Sequence, residues 1–165
     1  MIRFYLAQLF AVIAWTILII SYWKNKNDKI LYLQVLACAF FILSYAFLEA
    51  WTGLLVVVFE LFRDYLYIKF KDDKKTFLYT LPIYIIISTF SYNTKWSLFA
   101  VLASLCDGYA LTYHGKKVVF LGILTYLLWL IYDVFCHSYA GALAAGILII
   151  SNVIILVTKK NNSSL

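Results

Sequence analysis

Apolar residues fill seven stretches of the chain, roughly 4–23, 30–48, 51–68, 76–92, 97–113, 118–135 and 139–158, and charged residues collect between them. Each stretch approaches the roughly 17 to 25 residues that a helix needs to cross a bilayer. Inside lipid the backbone polar groups must be satisfied within the segment, so all seven are predicted to be helices. Only Glu49 and Ala50 separate the second stretch from the third, and His137 and Ser138 with their neighbours separate the sixth from the seventh. Both pairs are predicted to be tight antiparallel hairpins.

The basic residues give the pattern a direction. Lys24, Lys26 and Lys29 follow the first stretch, Lys69, Lys71, Lys74 and Lys75 the third, Lys116 and Lys117 the fifth, and Lys159 and Lys160 the seventh. The alternate connections hold only Arg3 and Lys95, and Arg63 lies inside an apolar stretch. The positive-inside bias then puts the N-terminus outside and the C-terminus in the cytoplasm, with an odd number of spans.

Composition narrows the class further. At 65% hydrophobic and 13% charged, the 165 residues are too apolar for one soluble core. The expected solvent is a lipid bilayer, crossed several times. The net charge of +6 suits anionic headgroups at the cytoplasmic face. It does not suggest nucleic acid, because the lysines are spread over four connections. Cys38, Cys106 and Cys136 make no disulfide framework, and the first apolar stretch is too long for a signal-peptide core and is expected to be retained.

The chain also repeats itself. A shift of 89 residues lays Leu9-Phe10-Ala11-Val12-Ile13-Ala14 on Leu98-Phe99-Ala100-Val101-Leu102-Ala103, with five of six positions identical. After a one-residue deletion, Lys29 falls on Lys117, Phe41 on Trp129, Glu49 on His137, Gly53 on Gly141 and Asp64 on Asn152. Two parallel three-helix repeats, about 4–68 and 97–158, joined by a linker helix at about 76–92, form the expected single all-α transmembrane domain.

The 3+1+3 arrangement resembles the SWEET sugar facilitators and their vitamin-transporting PnuC relatives. At residue level the chain is similar to small bacterial inner-membrane proteins of the YgjV type. That similarity rests on Ser21-Tyr22, Leu48-Glu49-Ala50-Trp51-Thr52-Gly53, Leu128-Trp129-Leu130-Ile131-Tyr132, His137-Ser138-Tyr139-Ala140-Gly141 and Ser151-Asn152. The Pro-Gln pair of many SWEET-like helices is absent and the only proline is Pro82, which argues against a proline hinge. The resemblance implies a solute held between the repeats, near polar residues on the third helix of each.

Charges at bilayer depth cost about 2.5 to 3.5 kcal/mol each and seldom persist without a partner or a task. Glu60, Arg63 and Asp64 share one face of the third stretch, at spacings i, i+3 and i+4. They form either an ion-pair cluster that fixes packing or one wall of a solute path with a spare carboxylate. Asn152, the repeat partner of Asp64, can donate and accept toward a hydroxyl or a nucleobase edge, or can simply bond a neighbouring helix. Asp107, with Ser104 one turn earlier, and Asp133, near an outer end and within reach of water, are lone acids that would flank a cavity. Trp129 lies deep in its stretch and offers either packing or a stacking surface.

The expected substrate-binding set is therefore Glu60, Arg63, Asp64, Asn152, Trp129, Asp107 and Asp133. No catalytic set, metal cluster or cofactor motif is found: His114 and His137 fall on opposite sides of the membrane, and no Ser/His/Asp group converges. The expected function is a carrier for a small polar or aromatic metabolite of the sugar, nucleoside or vitamin class. The alternative is a non-transporting structural or regulatory protein, and a homo-oligomer is left open by the sequence.

Overall fold

The computed structural model describes residues 1–22, 27–70, 73–90, 94–113 and 116–161. Lys24, Lys26, Lys71 and His114 lie outside the described residues, and of Lys29, Lys159 and Lys160 only the helical backbone is described. The described residues form seven helices and no strand: α1 (Ile2–Tyr22), α2 (Asn27–Phe47), α3 (Trp51–Phe70), α4 (Asp73–Phe90), α5 (Ser97–Ala110), α6 (Lys116–Phe135) and α7 (Tyr139–Asn161). Every expected apolar stretch is thus helical.

By length and composition, three segments among the described residues can each cross a bilayer: Ile2–Ser21, Lys116–Phe135 and Tyr139–Thr158. The apolar part of α2 (Tyr32–Phe47) and all of α5 are shorter. At 1.5 Å per residue α5 spans about 21 Å, less than the hydrocarbon thickness of about 30 Å. The charges of α3 and the Asp-Lys-Lys start of α4 interrupt their apolar runs.

Six helices close a ring. α1 packs on α2, α2 on α3, α3 on α5, α5 on α6, α6 on α7, and α7 returns to α1, while α4 lies outside the ring against α3 and α5. Small residues permit the close approaches: Ala7, Ala11 and Ala14 of α1 and Ala100 and Ala103 of α5 are buried at helical spacing. The outer surface is apolar, as the exposed stripe Leu143, Ile147, Ile150, Ile154 and Val157 along α7 illustrates. Such a face is stable against lipid and a liability in water.

The two hairpins are built alike. Glu49 and His137 are the non-glycine residues with positive φ among the described residues, at 57° and 62°. The Ala50 N–H donates to Tyr45 O at 3.0 Å and the Glu49 N–H to Ala46 O at 3.2 Å. Eighty-eight residues later the Ser138 N–H donates to Asp133 O at 2.8 Å and the His137 N–H to Val134 O at 3.3 Å. Each is a Schellman termination, in which the N–H of one left-handed residue and the N–H of the residue after it satisfy two of the last helical carbonyls. Gln8 ties α1 to the second hairpin, donating to His137 O and accepting from the Ala140 N–H, both at 2.9 Å.

Candidate functional site

α3 carries the charges to where three helices meet. Arg63 is 2% exposed and spends all five guanidinium donors. Its Nε and Nη2 donate to Asp64 Oδ1 at 3.1 and 2.9 Å, and Nη2 also reaches Asp107 Oδ2 of α5 at 2.6 Å. Nη1 donates to Tyr84 Oη of α4 at 3.0 Å and to Ser104 O of α5 at 3.1 Å. Tyr84 Oη donates in turn to Ser104 O at 3.0 Å. Arg63 therefore fastens α3, α4 and α5 at one point, with both of its carboxylate partners on the ring. Of the two carboxylates that share a face of α3 with Arg63, Asp64 is the one paired with it; Glu60 has no ion pair among the described residues, and Ser104 is its hydrogen-bond partner. Asp107 has taken the place beside Arg63, and its side chain stays 42% exposed.

A second polar tie crosses the ring nearer the hairpins. Tyr45 Oη of α2 donates to Asp133 Oδ1 of α6 at 2.7 Å, and the Gly53 N–H of α3 donates to Tyr132 Oη of α6 at 2.7 Å. Asp133 also accepts from the Ser138 side chain. The expectation that Asp133 reaches water is corrected: it is 2% exposed, because Tyr45, Ser138 and the glycine at 141 close over it. Gly53 and Gly141 are what let these groups approach. A Cβ on Gly53 would lie 2.8 Å from the Tyr132 ring, and one on Gly141 would collide with the Asp133 carboxylate.

Between the two ties lies a cavity of about 90 Å³, lined from α1, α2, α3, α5 and α6. Glu60, Arg63, Asp64, Asp107, Trp129 and Asp133, six of the seven residues expected from the sequence, line it. Asn152 does not. α7 packs on α1 and α6 and not on α3, and the Asn152 amide faces Gly122 of α6, where an added Cβ would meet Nδ2 at 3.5 Å. Asp64 and Asn152, equivalent positions in the two repeats, therefore do not face one cavity in this structure, because they sit on helices that do not pack on each other.

The cavity also takes Trp15 and Tyr126, deep aromatics that offered a stacking surface like Trp129, and Gln34, Tyr45 and Thr125, which sequence reasoning did not select. Tyr45 had a usable signal, since it is the position corresponding to Asp133 at an offset of 88. Gln34 and Thr125 had none beyond being polar in apolar stretches. Trp15 meets Phe41 edge-on at 5.3 Å between ring centroids and Tyr126 at 6.2 Å, and Tyr45 stacks on Trp129 at 6.0 Å. No group of His, Cys, Asp and Glu among the described residues is arranged to hold a metal ion.

An apolar outer surface around a ring of helices with ionised groups buried inside defines a helical membrane protein. The model of the Imp-YgjV family, described as bacterial inner membrane protein, matches residues 5–162, and the chain belongs to that family. No curated protein and no solved structure matches it.

Proposed function

We propose that this inner-membrane protein crosses the bilayer seven times, with its first residues outside and its last inside, and carries a small polar metabolite through the cavity between two parallel three-helix repeats, α1–α3 and α5–α7. α4 is then the linker. The observation that carries the reading is the cavity itself: a mostly apolar space lined by both halves of the ring, into which charged side chains are brought and where buried charge needs a task. Supporting it are the matched hairpins, the symmetric order of helix contacts around the ring and the crowding of lysines at one set of connections. In the observed conformation the cavity is small beside the roughly 300 to 1,000 Å³ of drug-sized ligand sites. A solute of the sugar, nucleoside or vitamin class requires the two halves to move apart.

The saturated coordination of Arg63 favours a second reading, in which the polar cluster locks helix packing and nothing is transported. Reconstituted protein separates the two. Carrier function predicts solute counterflow in liposomes that is lost in Glu60→Gln and Trp129→Ala while thermal unfolding in detergent changes little. A packing lock predicts no counterflow of any solute and a large loss of stability in both variants. Reporter fusions test the topology: placing the connections at Lys24–Lys29 and Lys116–Lys117 on opposite sides would sink the parallel repeats.

A further inference from the structure

The lining of the cavity is unbalanced. Among the described residues, Glu60, Asp64, Asp107 and Asp133 bring four carboxyl groups to it, and Arg63 is the one basic side chain there. Arg63 is committed to Asp64 and Asp107, Asp133 is held by the Tyr45 hydroxyl, and Glu60 lines the same space without an ion pair of its own among the described residues. A low-dielectric space with surplus carboxylates attracts positive charge. Aromatic side chains in the lining, here Trp15, Tyr126 and Trp129, favour a cation that is poorly hydrated, such as an organic ammonium, over a small metal ion.

An independent observation adds an oxygen to the ligand. Among the described residues, Trp15 Nε1 and Thr125 Oγ1 are the buried side-chain polar atoms without a hydrogen-bond partner. Both residues line this cavity, at 7% and 3% exposure. The indole N–H only donates, so it calls for an acceptor, and the threonine hydroxyl can donate to the same atom or accept from it. Leaving such groups unpaired in an apolar setting is costly, which makes them a recognition element for a ligand that supplies the missing partner.

We propose that the cavity binds a small hydroxylated ammonium compound, an amino alcohol, with its cationic nitrogen beside the Glu60 carboxylate and its oxygen hydrogen-bonded to Trp15 and Thr125. The volume of about 90 Å³ suits a compound of that size. The inference rests on reading the cavity as the solute site and names the solute's chemistry.

Isothermal titration of the full-length protein in detergent tests it, using ethanolamine and choline, tetramethylammonium as a cation without hydroxyl, and 3,3-dimethylbutanol as the neutral isostere of choline. The amino alcohols bind, and the neutral isostere binds weaker by about tenfold or more. Glu60→Gln lowers the affinity for choline by a similar factor. Trp15→Phe weakens choline but not tetramethylammonium. Equal binding of the neutral isostere, absence of any ammonium binding, or undiminished affinity in a folded Glu60→Gln variant overturns the proposal. Should Glu60→Gln not fold, the isostere comparison on the wild type and the Trp15→Phe contrast decide alone. Counterflow separates the two claims. Transport of a neutral solute without ammonium binding defeats the amino alcohol and leaves the carrier standing, whereas ammonium binding without any transport defeats the carrier and leaves the site.

Discussion

The helices α3 and α7 start from hairpins of the same build and diverge in chemistry. Eighty-eight residues after Glu60, Arg63 and Asp64 stand Leu148, Ser151 and Asn152. Arg63 is buried because α4 and α5 both close over α3 at that level and supply Tyr84, Ser104 and Asp107. α7 has only α1 and α6 beside it, and Ser151 is exposed. A guanidinium at that position would meet lipid without a partner, at a cost of about 2.5 to 3.5 kcal/mol. The same backbone plan thus carries charge only where an extra helix covers it, and α4 is the element that makes the two halves unequal.

Replacing the charge that α4 covers gives the largest expected effect. Arg63→Met leaves the buried Asp64 without its counter-charge and the half-exposed Asp107 without its partner, and a loss of about 3 to 5 kcal/mol is expected. Ser151→Ala at the matching place on α7 should stay within about 0.5 kcal/mol. Thermal or denaturant unfolding in detergent reads both, and equal losses would break the contrast between the helices.

The glycines test where the halves agree. Gly53→Ala drives a Cβ into the Tyr132 ring, and Gly141→Ala drives one into Asp133, so each should destabilise by about 1 to 3 kcal/mol. A neutral result at one site alone would mean that the shared hairpin plan does not extend to the packing behind it.

Smallest, and of opposite sign, is the effect of relieving the turns. Glu49 and His137 occupy a left-handed conformation that costs a side-chain-bearing residue about 1 to 2 kcal/mol and that glycine adopts freely. His137→Gly should stabilise by about 1 kcal/mol. Glu49→Gly should gain a similar amount, since each variant gives up one exposed side-chain contact, Glu49 with Arg3 at 3.4 Å and His137 with the Tyr139 hydroxyl at 3.2 Å. A rise in melting temperature from one variant and a fall from the other would show that the two turns are alike in geometry only.

The seven helices were legible in the sequence because lipid and helix geometry act locally: a run of apolar residues between charged connections leaves the backbone one way to satisfy its hydrogen bonds. The hairpins were legible as well, from the brevity of the Glu49-Ala50 and His137-Ser138 connections. So was the weight of the third stretch, since charges spaced at Glu60, Arg63 and Asp64 stand out against an apolar background whatever surrounds them. Which partner each charge takes was not legible. Arg63 chose Asp107 over Glu60, Asp133 was sealed by Tyr45, and Asn152 was left outside the cavity, because these outcomes depend on which helices become neighbours in the ring. Helix adjacency is set by the summed packing of small residues along α1 and α5 and by the placement of α4, and no single stretch of sequence records it.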